Sequence, residues 1–436
     1  MKRYSWLFIL LPLFGGWQSL PAQTGARPLS LDSAIARVVA SHPSVRQAAE
    51  ALSVADQRIL LARSTRMPVV SGNAGYTRIG PVPEITIPGM GSFRMAPNNN
   101  YSVSVEVGET LYDFGKTKKN TEIEEAGRVQ SEQSLKAVIR RLEMATVQVY
   151  CALVYDDHAL AIKEEQLKNL KDHLDFLEKK NEAGTATRYD LLSTRVKISR
   201  AENEKTDLET LRQDQATTLN ILMGAAPEAE LVVEKAFSTP AVPASYDSLV
   251  QYAFLHREDL LMAKQAEKIS GLQYDLVRIK RNPTLSLFAS GGIKNGYFPD
   301  LNNPIANYAA GISFKAPIID GFRKSKDLSV ARSGMNQATF ETDRVKRQAG
   351  IEIMDSYTQS LSAEKKIGQG QLQVEQAAMA LSLAQVNFRA GTITNLDLLD
   401  SETSLAESRL SLLKSELDYS LSLYRLRNAI GVPLSE

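Results

Sequence analysis

The 436-residue chain contains one cysteine and four histidines, and its 51 lysines and arginines are offset by 50 aspartates and glutamates. A single cysteine excludes an intrachain disulfide, so an exported form must be held together by packing or assembly. Cys151 sits beside Tyr150, Ala152 and Leu153 in a helical stretch and reads as a small core residue. His42, His158, His173 and His256 are scattered, which predicts no metal site. Balanced charge gives no signal for nucleic acid. The HExxH, P-loop, CxxC and nucleophile-elbow patterns are missing, and carboxylates such as Glu164 and Glu165 lie one helical turn from Lys168 as solvated pairs. Neither catalysis nor a cofactor is expected. Beyond the first residues, no run is long and apolar enough for a transmembrane helix.

The N-terminus supplies the one apolar run. Lys2 and Arg3 precede an apolar stretch over residues 6–17, which Gly15, Gly16, Gln18 and Pro21 cut short before the small residue Ala22. This is the layout of a secretory signal peptide, residues 1–22. No cysteine near Ala22 supports a lipid anchor.

The rest is written twice. NEAGTATRYDLL at 181–192 returns as FRAGTITNLDLL at 388–399, and LYDFGK from Leu111 has a loose counterpart around Asp320 at the same offset. The expected domains are a first repeat at 23–230, a connector at 231–245 and a second repeat at 246–436. Each opens with helical pattern, 31–67 and 248–281, with Pro43 dividing the first. Strands are predicted at 69–79 and 101–111, then 284–293 and 307–318. Tyr101, Val103, Val105 and Val107 share one face of the second strand, opposite Ser102, Ser104 and Glu106. The Pro- and Gly-rich segment 80–100 reads as a loop. Proline-free helical pattern follows at 116–183 and 324–390, each reaching about 100 Å if helical, with tips at 183–188 and 390–395 and return helices at 188–223 and 395–430.

Four short strands with one apolar and one polar face suit a lipid-facing, water-filled barrel, but four cannot close one. Either several copies combine, or the strands form a small soluble sheet on a helical bundle. The order helix, strand, strand, long helix, short loop, helix, given twice, with AGTATRYD and AGTITNLD in register, resembles the TolC-like outer membrane factor family over nearly the whole mature length. The resemblance implies a mainly α fold with a β-barrel part: a homotrimeric 12-stranded barrel in outer membrane lipid, continued by an α-helical barrel across the periplasm of a Gram-negative bacterium. It implies the exit channel of a tripartite efflux pump, partnered by a periplasmic adaptor and an inner membrane transporter of the resistance-nodulation-division type. A type I protein secretion channel is the alternative within this class, and a soluble periplasmic coiled-coil scaffold without a pore the alternative outside it.

The resemblance also places the candidate site. Asp397 and Asp400 match acidic positions that form cation-favouring rings at the periplasmic entrance, and Asp190 matches a carboxylate of the gate. Thr187 and Thr394 stand three residues before Asp190 and Asp397, so capping of the return helices competes for these two, leaving Asp400 as the better ring candidate. Where some family members have a gating tyrosine and arginine, this chain has Phe388 and Ile393, which points to apolar packing or to basic neighbours such as Arg188 and Arg389. Gly184, Thr185, Gly391 and Thr392 form the tips expected to meet the adaptor. At the other end, Phe93 and Met95 lie near the expected mouth, and Tyr76, Tyr101, Tyr112, Tyr308 and Phe314 are candidate membrane-interface anchors.

Overall fold

A computed structural model describes residues 28–237, 239–240 and 245–434; the signal-peptide expectation and part of the connector lie outside them. The duplication is plain in the element lengths. The first repeat runs α1 (Leu31–Ser41), α2 (Pro43–Ser64), β1 (Val69–Arg78), β2 (Glu84–Ile87), β3 (Gly91–Arg94), β4 (Asn99–Tyr112), α3 (Lys116–Glu182) and α4 (Arg188–Leu222). The second runs α5 (Tyr246–His256), α6 (Glu258–Ile279), β5 (Thr284–Lys294), β6 (Ile305–Lys315), α7 (Arg323–Arg389) and α8 (Asn395–Ile430). Helices α3 and α7 each have 67 residues.

Two expectations need correction. The segment 80–100 contains a β2–β3 hairpin where a plain loop was read. The last strand stops at Lys315 rather than at 318, ahead of Pro317, whose ring removes a ladder donor. A break at Arg257 also divides the second helical opening, though no proline stands there. It is made by tertiary contacts: the Arg257 guanidinium holds Asp259 at 2.8 Å, Glu352 at 2.5 Å and the Ala429 carbonyl at 3.1 Å.

The main sheet is antiparallel in the order β1-β4-β5-β6, leaving β1 and β6 as open edges. Its register carries one apolar face across all four strands. Ala74, Val103, Ile293 and Ala306 line up, as do Gly72, Val105, Gly291 and Tyr308. The opposite face presents Asn73, Ser104, Gly292 and Asn307. Near Leu111 the ladder slips by one residue, so that Tyr112 lies opposite Leu285 and joins the apolar side. Tyr76 and Tyr101, rings 5.2 Å apart, mark one end of that side, and Tyr112 and Phe314 the other. Eleven residues separate the girdles, enough for the apolar band of about 25 Å in a tilted membrane strand.

Below the sheet α2 packs on α3, α3 on α6, and α6 on α7. Farther along, α4 packs on α3, α3 on α8, and α8 on α7. Where the two arrangements meet lies the largest core cluster, with Val147, Cys151 and Leu153 of α3 against Ile35, Val38, Leu219 and Tyr424. Cys151 is buried there, and burial pushes its thiol up to about 11, so it is inert packing. Tyr150 Oη donates to the Leu29 carbonyl at 2.8 Å and accepts from Glu234 N at 3.2 Å, joining the chain's start to the connector.

Candidate functional site

The two tips share one backbone design, which explains the repeated Ala-Gly-Thr. Helix α3 ends as Gly184 turns left-handed at φ 74°, donating to Asn181 O at 3.0 Å, while Thr185 N donates to Lys180 O at 2.8 Å. Gly391, at φ 77°, and Thr392 repeat these bonds onto Phe388 O and Asn387 O. Both threonine hydroxyls donate again, at 3.0 Å, to the carbonyl their own N–H uses. This is the Schellman arrangement, in which glycine avoids the Cβ clash and threonine doubly satisfies an orphan carbonyl. Two residues farther on, Thr187 and Thr394 open the return helices with reciprocal capping boxes: Asp190 Oδ2 accepts from Thr187 N at 3.0 Å, and Asp397 Oδ2 from Thr394 N at 2.9 Å.

The capping reading of Asp190 and Asp397 is thus realised. Hydrogen bonds from the Thr394 side chain and backbone hold the exposed Asp397 carboxyl below its usual range. Asp400, one turn deeper, is exposed and accepts from Lys197 Nζ of α4 at 3.0 Å. An exposed pair of this kind contributes little stability.

Phe388 and Ile393 come together. Both lie half-buried against Leu381, Ala384 and Leu398, and with Leu405 they make an apolar cluster at the second tip. Phe388 also meets the edge of His173, with centroids 5.3 Å apart, and Lys180 Nζ lies 5.4 Å from its ring centre.

Sequence reading missed the pair beneath them. Asn395, the first residue of α8, is only 4% exposed, yet its side chain meets groups from two other helices. Its Nδ2 lies 3.2 Å from Asp190 O, 3.3 Å from Ser193 Oγ and 3.2 Å from Thr194 Oγ1, all on α4. With the amide nitrogen turned to these oxygens, Oδ1 faces His173 Nε2 of α3 at 2.7 Å, which makes that nitrogen the donor. Burial lowers the His173 pKa, so the ring is neutral at neutral pH. The node bridges the α3/α4 hairpin and the α7/α8 hairpin at the tips. An asparagine following a capping threonine carries no sequence signal for this role.

Deeper in the same seam, Glu402 of α8 is buried with its Oε2 unpartnered in a crevice of about 20 Å³ lined by Gln166, Asn169 and Leu405. Burial pushes its carboxyl up to about 7. Among the described residues no group of histidine, cysteine, aspartate and glutamate side chains has metal-binding geometry, and no helix is long and apolar enough to cross a membrane.

This architecture is known elsewhere. A solved structure of CusC superposes with a TM-score of 0.79 at 20% identity, covering 92% of either chain. In sequence, the cation efflux system protein CusC of Escherichia coli K12 is 23% identical over 426 residues, 95% of this chain and 88% of its own length. The alkaline protease secretion protein AprF of Pseudomonas aeruginosa is 23% identical over 341 residues, 77% of this chain and 70% of its own. The family model described as outer membrane efflux protein matches residues 34–225 and 249–432, one stretch for each repeat. By its duplicated plan and by that match over both repeats, the chain belongs to the outer membrane efflux protein family.

Proposed function

We propose that three copies of this outer membrane protein close into a single passive exit duct for a tripartite efflux pump. The observation that carries the reading is the sheet: both edges are unpaired, while one face is apolar between aromatic girdles. Hydrocarbon leaves an unpaired edge unsatisfied, and twelve strands from three copies remove every edge. The flanking helices support the same closure. Leu61 on α2, Phe340 on α7 and Val196 on α4 are exposed on helices that end the two layers, where water would otherwise meet them.

In the assembled duct the tips, with Gly184, Thr185, Gly391 and Thr392, would face a periplasmic adaptor and an inner membrane transporter of the resistance-nodulation-division type. Asp190, Asp397 and Asp400 would ring the entrance and raise the local cation concentration. The protein would perform no chemistry; energy would come from the transporter. A second reading, export of a folded or unfolded protein, has the AprF similarity in its favour.

Planar-bilayer recording tests the duct directly. Protein extracted from outer membranes in detergent is expected to elute at trimer mass and to give discrete currents favouring cations. Asp400→Asn and Asp397→Asn are expected to lower that preference, Asp400→Asn more. A soluble monomer without reproducible currents would refute the reading.

A further inference from the structure

The β2–β3 hairpin stands apart from the rest of the chain. Its strands pair only with each other, and it packs broadly on no other strand or helix. Register divides its faces: Glu84 pairs with Arg94 and Thr86 with Ser92 on one side, Ile85 with Phe93 and Ile87 with Gly91 on the other. The polar side is internally satisfied, with Arg94 Nε donating to Glu84 Oε1 at 2.9 Å and the Thr86 and Ser92 hydroxyls 2.8 Å apart. The apolar side has no cover, since Ile85, Ile87 and Phe93 are all exposed, with Met90 at 70% beside them. A lone hairpin of two four-residue strands is marginal in water. Its apolar face needs a surface.

Sheet closure selects that surface. If β1 of one copy pairs with β6 of the next, the connection leaving β1, which holds the hairpin, comes beside the next copy's β5–β6 connection, residues 295–304. That connection is anchored on one flank to its own β4, where Asn295 N donates to Tyr101 O at 3.3 Å and Asn295 Nδ2 to Asn99 O at 2.7 Å. Phe298 remains 66% exposed. The hairpin begins beyond the Tyr76–Tyr101 pair that ends the apolar band, which argues against lipid tails as its cover.

We infer that the apolar face of Ile85, Ile87 and Phe93 docks on the Phe298 connection of the neighbouring copy and fastens the external mouth at each seam. This rests on the trimeric reading above. The test is disulfide trapping between two differently tagged chains expressed together, one carrying Phe93→Cys and the other Phe298→Cys; the native Cys151 is buried and leaves the background clean. Copper phenanthroline is expected to produce a band at twice the chain mass bearing both tags, lost when Met67→Cys, at the far end of the sheet, replaces Phe93→Cys. A trimer by light scattering that yields no such band overturns the inference. So does a band from Phe93→Cys chains alone, which would bring the three hairpins together on the axis. Quenching of a fluorophore at Phe93→Cys by brominated lipid would likewise overturn it in favour of the membrane. A sample that is never trimeric fails the underlying duct reading instead.

Discussion

At the tips, local satisfaction and long-range coupling share the same few side chains. Asn395 follows the capping threonine directly, so ordering α8 delivers its amide to α3 and α4 without further adjustment. Asn395→Ala removes a buried hydrogen-bonding group and leaves His173 Nε2 without its acceptor, while Thr194 Oγ1 still donates to Asp190 O; the loss costs about 1–3 kcal/mol. In bilayers this variant is expected to raise spontaneous opening several-fold while the trimer stays intact. His173→Gln, which keeps a donor, is expected to stay closer to the parent than His173→Ala.

Glu402 makes a second prediction. Its carboxyl is raised in the folded state, so its contribution is fully present below the ordinary glutamate pKa and is lost as pH rises toward 7. Glu402→Gln is therefore expected to raise the melting temperature at pH 8 and change little at pH 5, with a gain on the order of 3 kcal/mol at the upper limit. An equal effect at both pH values would remove burial of the charge as the cause. Neither Asn395 nor Glu402 was legible in the sequence, since each owes its role to helices brought together from more than 190 residues away. Asp190 and Asp397 were legible as caps, because a capping box is a local four-residue pattern.

Among the elements, what could be read followed from local rules repeated twice. The long helices, their glycine stops and the four main strands all announce themselves through periodicity and turn residues. LYDFGK and its loose counterpart show how far such a rule reaches. Asp113 and Asp320 each accept backbone bonds at the start of a long helix, after which two residues turn left-handed, Phe114 and Gly115 in one copy and Gly321 and Phe322 in the other. The order of phenylalanine and glycine is swapped, yet the backbone is the same. The β2–β3 hairpin escaped because four-residue strands among prolines and glycines give too short an alternation, and the Arg257 break because a remote ion network makes it. At Gly391 the left-handed backbone admits a side chain only with strain, even though a Cβ would meet nothing there. Gly391→Val is expected to cost about 1–2 kcal/mol and to fray the second tip, seen as faster amide exchange over residues 387–394 with the sheet unaffected.

As a whole molecule, the single chain has far more surface than a compact fold of its size. It exposes 28345 Å², against about 16500 Å² for a compact monomer of its mass. Phe340, on the α7 flank and 71% exposed, contributes nothing to the core of its own chain. Phe340→Asp is expected to shift the light-scattering mass from trimer toward monomer while the helical circular dichroism of the protomer is retained; a variant that loses both would mean that Phe340 serves the fold itself.

The unbroken course of α3 and α7 has a mechanical consequence. Each is one uninterrupted helix from the sheet end to the tip, α3 passing the central cluster around Val147 and α7 a separate cluster at Ile353. From that cluster to Glu182 the arm of α3 measures about 50 Å at 1.5 Å per residue. A swing of about 6° there would carry the far end roughly 5 Å with every backbone hydrogen bond intact. In the proposed assembly, a push at the tips would thereby move them by leverage, without melting a turn of helix.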